Sequence, residues 1–309
     1  MKKFILKAVL FAGLFGLLFF GVCAWSAVPS CKTFWAQVTN TTDYIENTAV
    51  KEILPAIEAV SREDGKKKLI IGDSVCYRMF DRSREKNKEY CIAATNRGLG
   101  MSGQYILGRI FLKNHPEATD IYLIITTNTL ITGYETVHGY QYAVQPFVQT
   151  GYIDYLDEKT LDEMKKTYGS FVLNKRMLTF VDESPVAKKL YLNLLNTYFS
   201  KSVKMEIPDT VVRNIIRLDE LCESSGVTLH LLPAPLPDTQ QRRELEAELE
   251  ILYKETKLYE RFPGYYQNLT YYPEEYFSDG IHPDLDEEGM GGLILDIQTG
   301  NDTMKDFIP

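Results

Sequence analysis

The apolar positions of this chain fall into one long run followed by many short clusters. From Ala8 to Val28 no charge interrupts the sequence, and roughly 20 such residues span a hydrocarbon core as a helix. Beyond it, Lys68-Leu69-Ile70-Ile71-Gly72 is a brief apolar run closed by glycine, the pattern of a buried strand entering a turn. Glu89 to Ala94, Ile121 to Ile125 and Val227 to Leu232 read as three further strands, the last stopped by Pro233-Ala234-Pro235. Between them, Gln104 to Leu112 and Thr210 to Cys222 carry apolar residues at helical spacing, and Gln240 to Lys254 reads as a charged surface helix. Alternating strand and helix predicts an α/β fold, a parallel sheet with helices on both faces.

Two stretches depart from the alternation. Residues 29–65 read as a polar stalk with one helix, in which Ile53, Leu54, Ile57 and Val60 share a face before the breaker Asp64-Gly65. Residues 133–208 lack a strong strand and hold many tyrosines, including Tyr134, Tyr140, Tyr142, Tyr152, Tyr155 and Tyr168. Loops at the carboxyl ends of parallel strands shape the ligand site, so this insertion is expected to form a cap there. The expected organisation is an anchor over 1–28, a stalk over 29–65 and a main domain over 66–309.

Charge orients the first segment. Lys2, Lys3 and Lys7 precede the long apolar run, which places the short end in the cytoplasm and the rest of the chain outside. The run exceeds the apolar core of an ordinary signal peptide and reads as a retained anchor, although the small residues Ala24, Ser26 and Ala27 leave cleavage open. Cys23 follows Val22, which is not a lipoprotein context, and reads as a small apolar residue of the span. With 34 basic against 42 acidic residues and a net charge of −8, the chain lacks the positive surface that nucleic acid requires. Five scattered cysteines and four dispersed histidines form no zinc spacing, and neither metal nor cofactor is expected. A Cys76–Cys91 pair is left open by the sequence.

The candidate chemistry lies at two places. Gly72-Asp73-Ser74 follows the first strand, where a serine at the strand tip exposes its hydroxyl and its own amide; a plain turn uses the same residues. Asp279-Gly280-Ile281-His282-Pro283 lies near the carboxyl end. A serine hydroxyl needs an imidazole to take its proton, and that imidazole needs an acceptor on its other nitrogen. A carboxylate three residues earlier supplies one.

With these blocks the chain resembles the SGNH or GDSL hydrolases and acyltransferases, whose serine lies in Gly-Asp-Ser and whose Asp and His lie in a terminal Asp-x-x-His. The resemblance covers most of Lys68 to Leu295 apart from the insertion. It implies a three-layer α/β/α, flavodoxin-like domain, Ser74 as nucleophile, His282 as base then acid, and Asp279 as its orienter. It also implies an oxyanion hole from the Ser74 amide, a glycine best matched by Gly100 within Asn96 to Gly103, and an asparagine matched by Asn128 in Thr126-Thr127-Asn128-Thr129. The family's Gly-x-Asn-Asp is altered here at Thr126 and Thr129.

The implied reaction is acyl transfer through an acyl-serine, ending on water or on a sugar hydroxyl. Anchored members act on acetyl esters of surface polysaccharide, often beside a multi-spanning membrane acyltransferase, which is the partner the resemblance implies along with the carbohydrate itself. Tyr265, Tyr266, Tyr271 and Tyr272, with the tyrosines of the insertion, are candidates for stacking on sugar rings or for packing. Arg78 lies one turn beyond Ser74, and His115, His138 and His230 read as structural or surface residues. The rival reading is a noncatalytic carbohydrate-binding or scaffold subunit on the same fold.

Overall fold

The computed structural model describes residues 1–41, 48–80, 89–95, 100–136, 139, 156–170, 174–198, 204–277 and 279–283. Strands β1 (Lys68–Gly72), β2 (Tyr90–Ile92), β3 (Asp120–Ile125) and β4 (Thr228–Pro233) form one sheet in the order β2-β1-β3-β4. Every neighbouring pair is parallel, with Ile70 opposite both Ile92 and Tyr122, and Leu123 opposite Leu231.

Strands β1 and β3 are buried on both faces, which explains why they read as continuous apolar runs, whereas the edge strand β4 has Thr228 exposed and His230 half-buried. Successive side chains point to opposite faces. Leu69, Ile71, Ile121, Leu123 and Ile125 join one core cluster, whereas Ile70, Ile92, Tyr122 and Ile124 join another. The first cluster is completed by α3 (Thr48–Ser61), α5 (Gly100–Asn114) and α10 (Asp209–Ser224), with α5 packed on both α3 and α10. The second is completed by α4 (Ser74–Phe80), which contributes Val75, Cys76, Met79 and Phe80. Cys76 and Cys91 therefore belong to opposite faces of the sheet, and no disulfide joins them.

From β1 the chain passes α4 to β2 on one side, then α5 on the other face to β3 on the far side of β1. The order thus reverses between β1 and β3. In open α/β sheets the crevice at that reversal, outside the carboxyl ends of the strands, is where ligands bind.

Three features differ from expectation. The segment 29–65 holds two helices among its described residues, α2 (Pro29–Thr39) and α3, rather than a stalk with one. Ile53, Ala56, Ile57 and Val60 of α3 are buried in the main core, so this helix is part of the folded domain. A second small parallel sheet, β5 (Leu236–Pro237) with β6 (Tyr271–Tyr272), was too short to leave a periodic signal. The described insertion helices pack on other helices. Helix α7 (Glu158–Tyr168) docks on α10 through Glu163–Arg213 at 2.9 Å and through Asp157–Arg217. Helices α8 (Lys175–Glu183) and α9 (Pro185–Tyr198) pair with each other, and α9 packs on α2 and on the N-terminal helix α1 (Lys2–Ala27). Residues 140–155, with Tyr140, Tyr142, Tyr152 and Tyr155, lie outside the described residues, as does His138.

Helix α1 is long and apolar enough to cross a membrane. The charged segment α11 (Gln240–Lys254) is a helix over the range its sequence predicts, and α12 (Lys257–Arg261) follows it. His115 and His230 have local partners. His115 bonds Asp64 at 3.1 Å and stacks on Phe111, while His230 bonds Asp120 at 2.8 Å and stacks on Tyr122.

Candidate functional site

Ser74 stands at the reversal of strand order because Gly72 lets the chain turn there. A Cβ on Gly72 would lie 1.9 Å from the Ile124 carbonyl oxygen and 2.6 Å from Cys76 Cβ, so only glycine allows β1, β3 and α4 to meet this closely. The buried Gln104 of α5 donates to the Gly72 carbonyl at 3.0 Å and fixes it from behind.

Asp73 caps α4 with one carboxylate oxygen, accepting from Val75 N–H at 3.0 Å and Cys76 N–H at 3.4 Å. Its other oxygen accepts from Thr126 N–H at 2.7 Å, Thr126 Oγ1 at 2.8 Å and Thr129 Oγ1 at 2.6 Å. Only 4% of this residue is exposed, so its charge is held by five donors rather than by water. The two threonines that depart from the family pattern are the hydroxyls that bind it. Ser74 itself is the first residue of α4, where the helix offers its amide no acceptor.

His282 reaches the same point from the carboxyl-terminal loop. Its Nε2 lies 2.9 Å from Ser74 Oγ, and its Nδ1 lies 2.7 Å from Asp279 Oδ2. The loop is folded by its own aspartate, whose Oδ1 accepts from Ile281 N–H at 3.1 Å and His282 N–H at 2.8 Å. Gly280 has φ +74, a left-handed conformation that glycine adopts without penalty and that turns the chain tightly enough for this. Pro283 bridges antiparallel to Phe277 and anchors the loop's far end. Partial burial raises the Asp279 carboxyl, but the hydrogen bonds from the His282 and Ile281 amides and from the imidazole outweigh it and hold it down to about 2. Asp279 is therefore a charged acceptor at any ordinary pH, which favours the imidazole tautomer with its proton on Nδ1 and leaves Nε2 to accept from Ser74.

Gly100 and Asn128 flank this group by topology. Gly100 opens α5 after β2, and Asn128 lies in the short helix α6 (Thr127–Leu130) directly after β3. Both thus follow strands adjacent to β1 at the sheet's carboxyl edge. Asn96 to Leu99 lie outside the described residues.

Asn128 is backed by a buried ionic group. Arg242 of α11 pairs with Glu246 at 2.6 Å and donates to Thr127 Oγ1 at 2.6 Å, and Thr127 Oγ1 donates to Glu246 at 2.6 Å. Burial keeps the Glu246 carboxyl above its ordinary value even against the Arg242 guanidinium. Arg242 also makes a long 3.4 Å bond to Asn128 Oδ1. A guanidinium only donates, so Asn128 turns its oxygen toward Arg242 and its NH₂ away from it.

Asp73 in this role, Arg242 and Glu246 were not visible as site residues in the sequence. Only the i, i+4 spacing of Arg242 and Glu246 hinted at a pair, and surface helices carry such pairs routinely. Tyr265 is core rather than a sugar platform, since it is buried and donates to the Ile125 carbonyl at 2.9 Å. Tyr134 and Tyr168 are likewise buried, with the Tyr168 hydroxyl bonded to the Tyr134 carbonyl. Tyr266, Tyr271 and Tyr272 are partly exposed.

No protein-family model matches the chain, and no curated protein or solved structure matches it.

Proposed function

We propose that this protein is a membrane-anchored serine esterase or O-acyltransferase facing outside the cell, acting on acyl esters, acetyl above all, of cell-envelope carbohydrate. The observation that carries the reading is the unbroken relay Ser74 Oγ, His282 Nε2, His282 Nδ1, Asp279 Oδ2, with links of 2.9 and 2.7 Å. In this reading His282 takes the Ser74 proton as the oxygen attacks the ester carbonyl, then returns it to the leaving alcohol as the acyl-serine forms. The Ser74 and Gly100 amides and the Asn128 side chain meet the charge on the carbonyl oxygen. Water, or a sugar hydroxyl, then attacks the acyl-serine with His282 again as base.

The resemblance to SGNH hydrolases supports the reading through Gly72-Asp73-Ser74 and Asp279-Gly280-Ile281-His282, and the reversal of strand order beside Ser74 fits a flavodoxin-like three-layer domain. The lysines before α1 favour the outward orientation. The partner implied is a multi-spanning membrane acyltransferase that supplies the acyl group. Acetate release from acetylated oligosaccharides, with and without an unacetylated acceptor, tests the reading. Release or transfer that Ser74→Ala abolishes supports it, and tight sugar binding without turnover favours a noncatalytic binding subunit.

A further inference from the structure

Far from Ser74 in sequence, α1, α8, α9 and the end of α7 line an almost wholly apolar groove of about 480 Å³, walled by Phe19 and Phe20 of α1, Phe180 of α8, and Leu190, Leu194 and Tyr198 of α9. The outer end of α1 is built into the fold at this place. Cys23 and Ser26 are fully buried, Ser26 Oγ meets Ser184 Oγ at 2.8 Å, and the rings of Phe20 and Phe180 are 6.0 Å apart. A buried hydroxyl pair and a packed aromatic pair tie the helix to the α8–α9 corner, so the groove's position along α1 is fixed.

That position decides the occupant. Phe20 lies eight residues inward from Val28, where α1 ends, and at 1.5 Å per residue this is about 12 Å inside the apolar run. With α1 spanning the membrane, the groove opens at the depth of lipid tails. Helix α9 suits the same boundary. Leu190, Leu194 and Tyr198 form an i, i+4, i+8 stripe that is 45%, 43% and 78% exposed, with Thr197 at its edge, while Lys189 and Asn196 fall on the opposite side of the helix by its period. Such a helix lies in a membrane surface with its apolar face in the acyl region. On α1, Phe15 lies one turn before the groove residue Phe19 and is exposed, so apolar side chains continue along that side of the helix.

We propose that a single acyl chain of a membrane lipid occupies this groove, holding α8 and α9 in the membrane surface beside the anchor. An α-helix with side chains is about 10–12 Å across, so the enclosed space would take scarcely one turn of a partner helix. One flexible hydrocarbon chain fits the volume and the apolar lining, which lies within the roughly 300–1,000 Å³ range of small-molecule sites. The proposal rests on α1 being retained in the membrane and is independent of the chemistry at Ser74.

The test uses the full-length chain in phosphatidylcholine vesicles, with a diazirine amino acid placed at Leu194 or, as a lipid-facing reference, at Leu14, which is 59% exposed. Irradiation and intact-mass analysis should give a phospholipid adduct at both positions. Ala187→Trp, which fills the groove from a buried wall position, should lower the Leu194 adduct at least fivefold and leave that at Leu14 unchanged. Leu190→Arg, at a lining position that is 45% exposed, should lower it likewise. An adduct at Leu14 with none at Leu194, or a Leu194 adduct indifferent to both substitutions, overturns the proposal. Chain-to-chain crosslinks at Leu194 overturn it in favour of a second copy. Absence of lipid at both positions overturns the groove and the anchor together, whereas serine labelling at Ser74 stands or falls separately.

Discussion

Thr129 Oγ1 donates to Asp73 Oδ2 at 2.6 Å, and this contact ties the loop after β3 to the turn that presents Ser74. Thr126 adds two more bonds to the same oxygen. The turn after β1 and the helix carrying Asn128 are thus fixed to one carboxylate, so the nucleophile candidate and the asparagine cannot drift independently. Thr126 and Thr129 make this link with their hydroxyls as donors.

Thr129→Val should destabilise the chain by about 2 kcal/mol, the usual worth of a bond to a charged acceptor. Asp73→Ala should cost about 3 kcal/mol or more, because it strands buried donors on two loops. Urea unfolding of the full chain in detergent measures both. Equal, small effects would mean that water replaces the carboxylate.

Gly72→Ala should be among the most damaging single-methyl changes in the molecule. The added carbon would overlap the Ile124 carbonyl oxygen at 1.9 Å, and backbone yields less readily than a side-chain tip. A cost above about 3 kcal/mol is expected, at the upper end of overpacking effects. A soluble variant with unchanged melting temperature would contradict the packing of β1 on β3.

The depressed Asp279 carboxyl gives an acid signature. Its folded value of about 2 lies below the ordinary carboxylate value near 4. The unfolded chain therefore binds this proton first, and the stabilisation is complete above about pH 5 and lost as pH falls from about 4 toward 2. The melting-temperature gap between wild type and Asp279→Asn should be constant above pH 5 and close over that acid window. The same substitution should lower acyl transfer at neutral pH by about 100-fold or more, since the imidazole loses its charged orienting partner.

Asn128→Ala should lower the rate of acylation by about 100-fold with substrate binding little changed, the pattern of a donor used in the transition state. Arg242→Met should reproduce part of this loss by freeing the Asn128 amide to rotate. Stopped-flow acylation by an activated acetyl ester separates the two steps.

The two central strands were legible because burial on both faces leaves apolar runs. Leu69 to Ile71 and Ile121 to Ile125 announce themselves this way, and α10 and α11 announce themselves by period. Gly72-Asp73-Ser74 and Asp279 to His282 were legible as local motifs, and the structure brings Ser74, His282 and Asp279 within hydrogen-bonding distance. The role of Asp73 was not, because its partners Thr126 and Thr129 come from a distant strand end and bind through backbone and hydroxyl groups that any turn contains. The burial of α3 was also hidden, since its polar surroundings in residues 29–65 suggest a stalk and only the Ile53, Ile57 and Val60 face says otherwise. The two-residue strands β5 and β6 are too short for any period to register.

The central claim is that Ser74 is an activated nucleophile, and the most direct measurement is intact mass after exposure of the chain to a serine-directed fluorophosphonate. The account predicts a single adduct, absent in Ser74→Ala and strongly slowed in His282→Ala. A well-folded protein that takes up no label, or labels equally with Ser74→Ala, would contradict it.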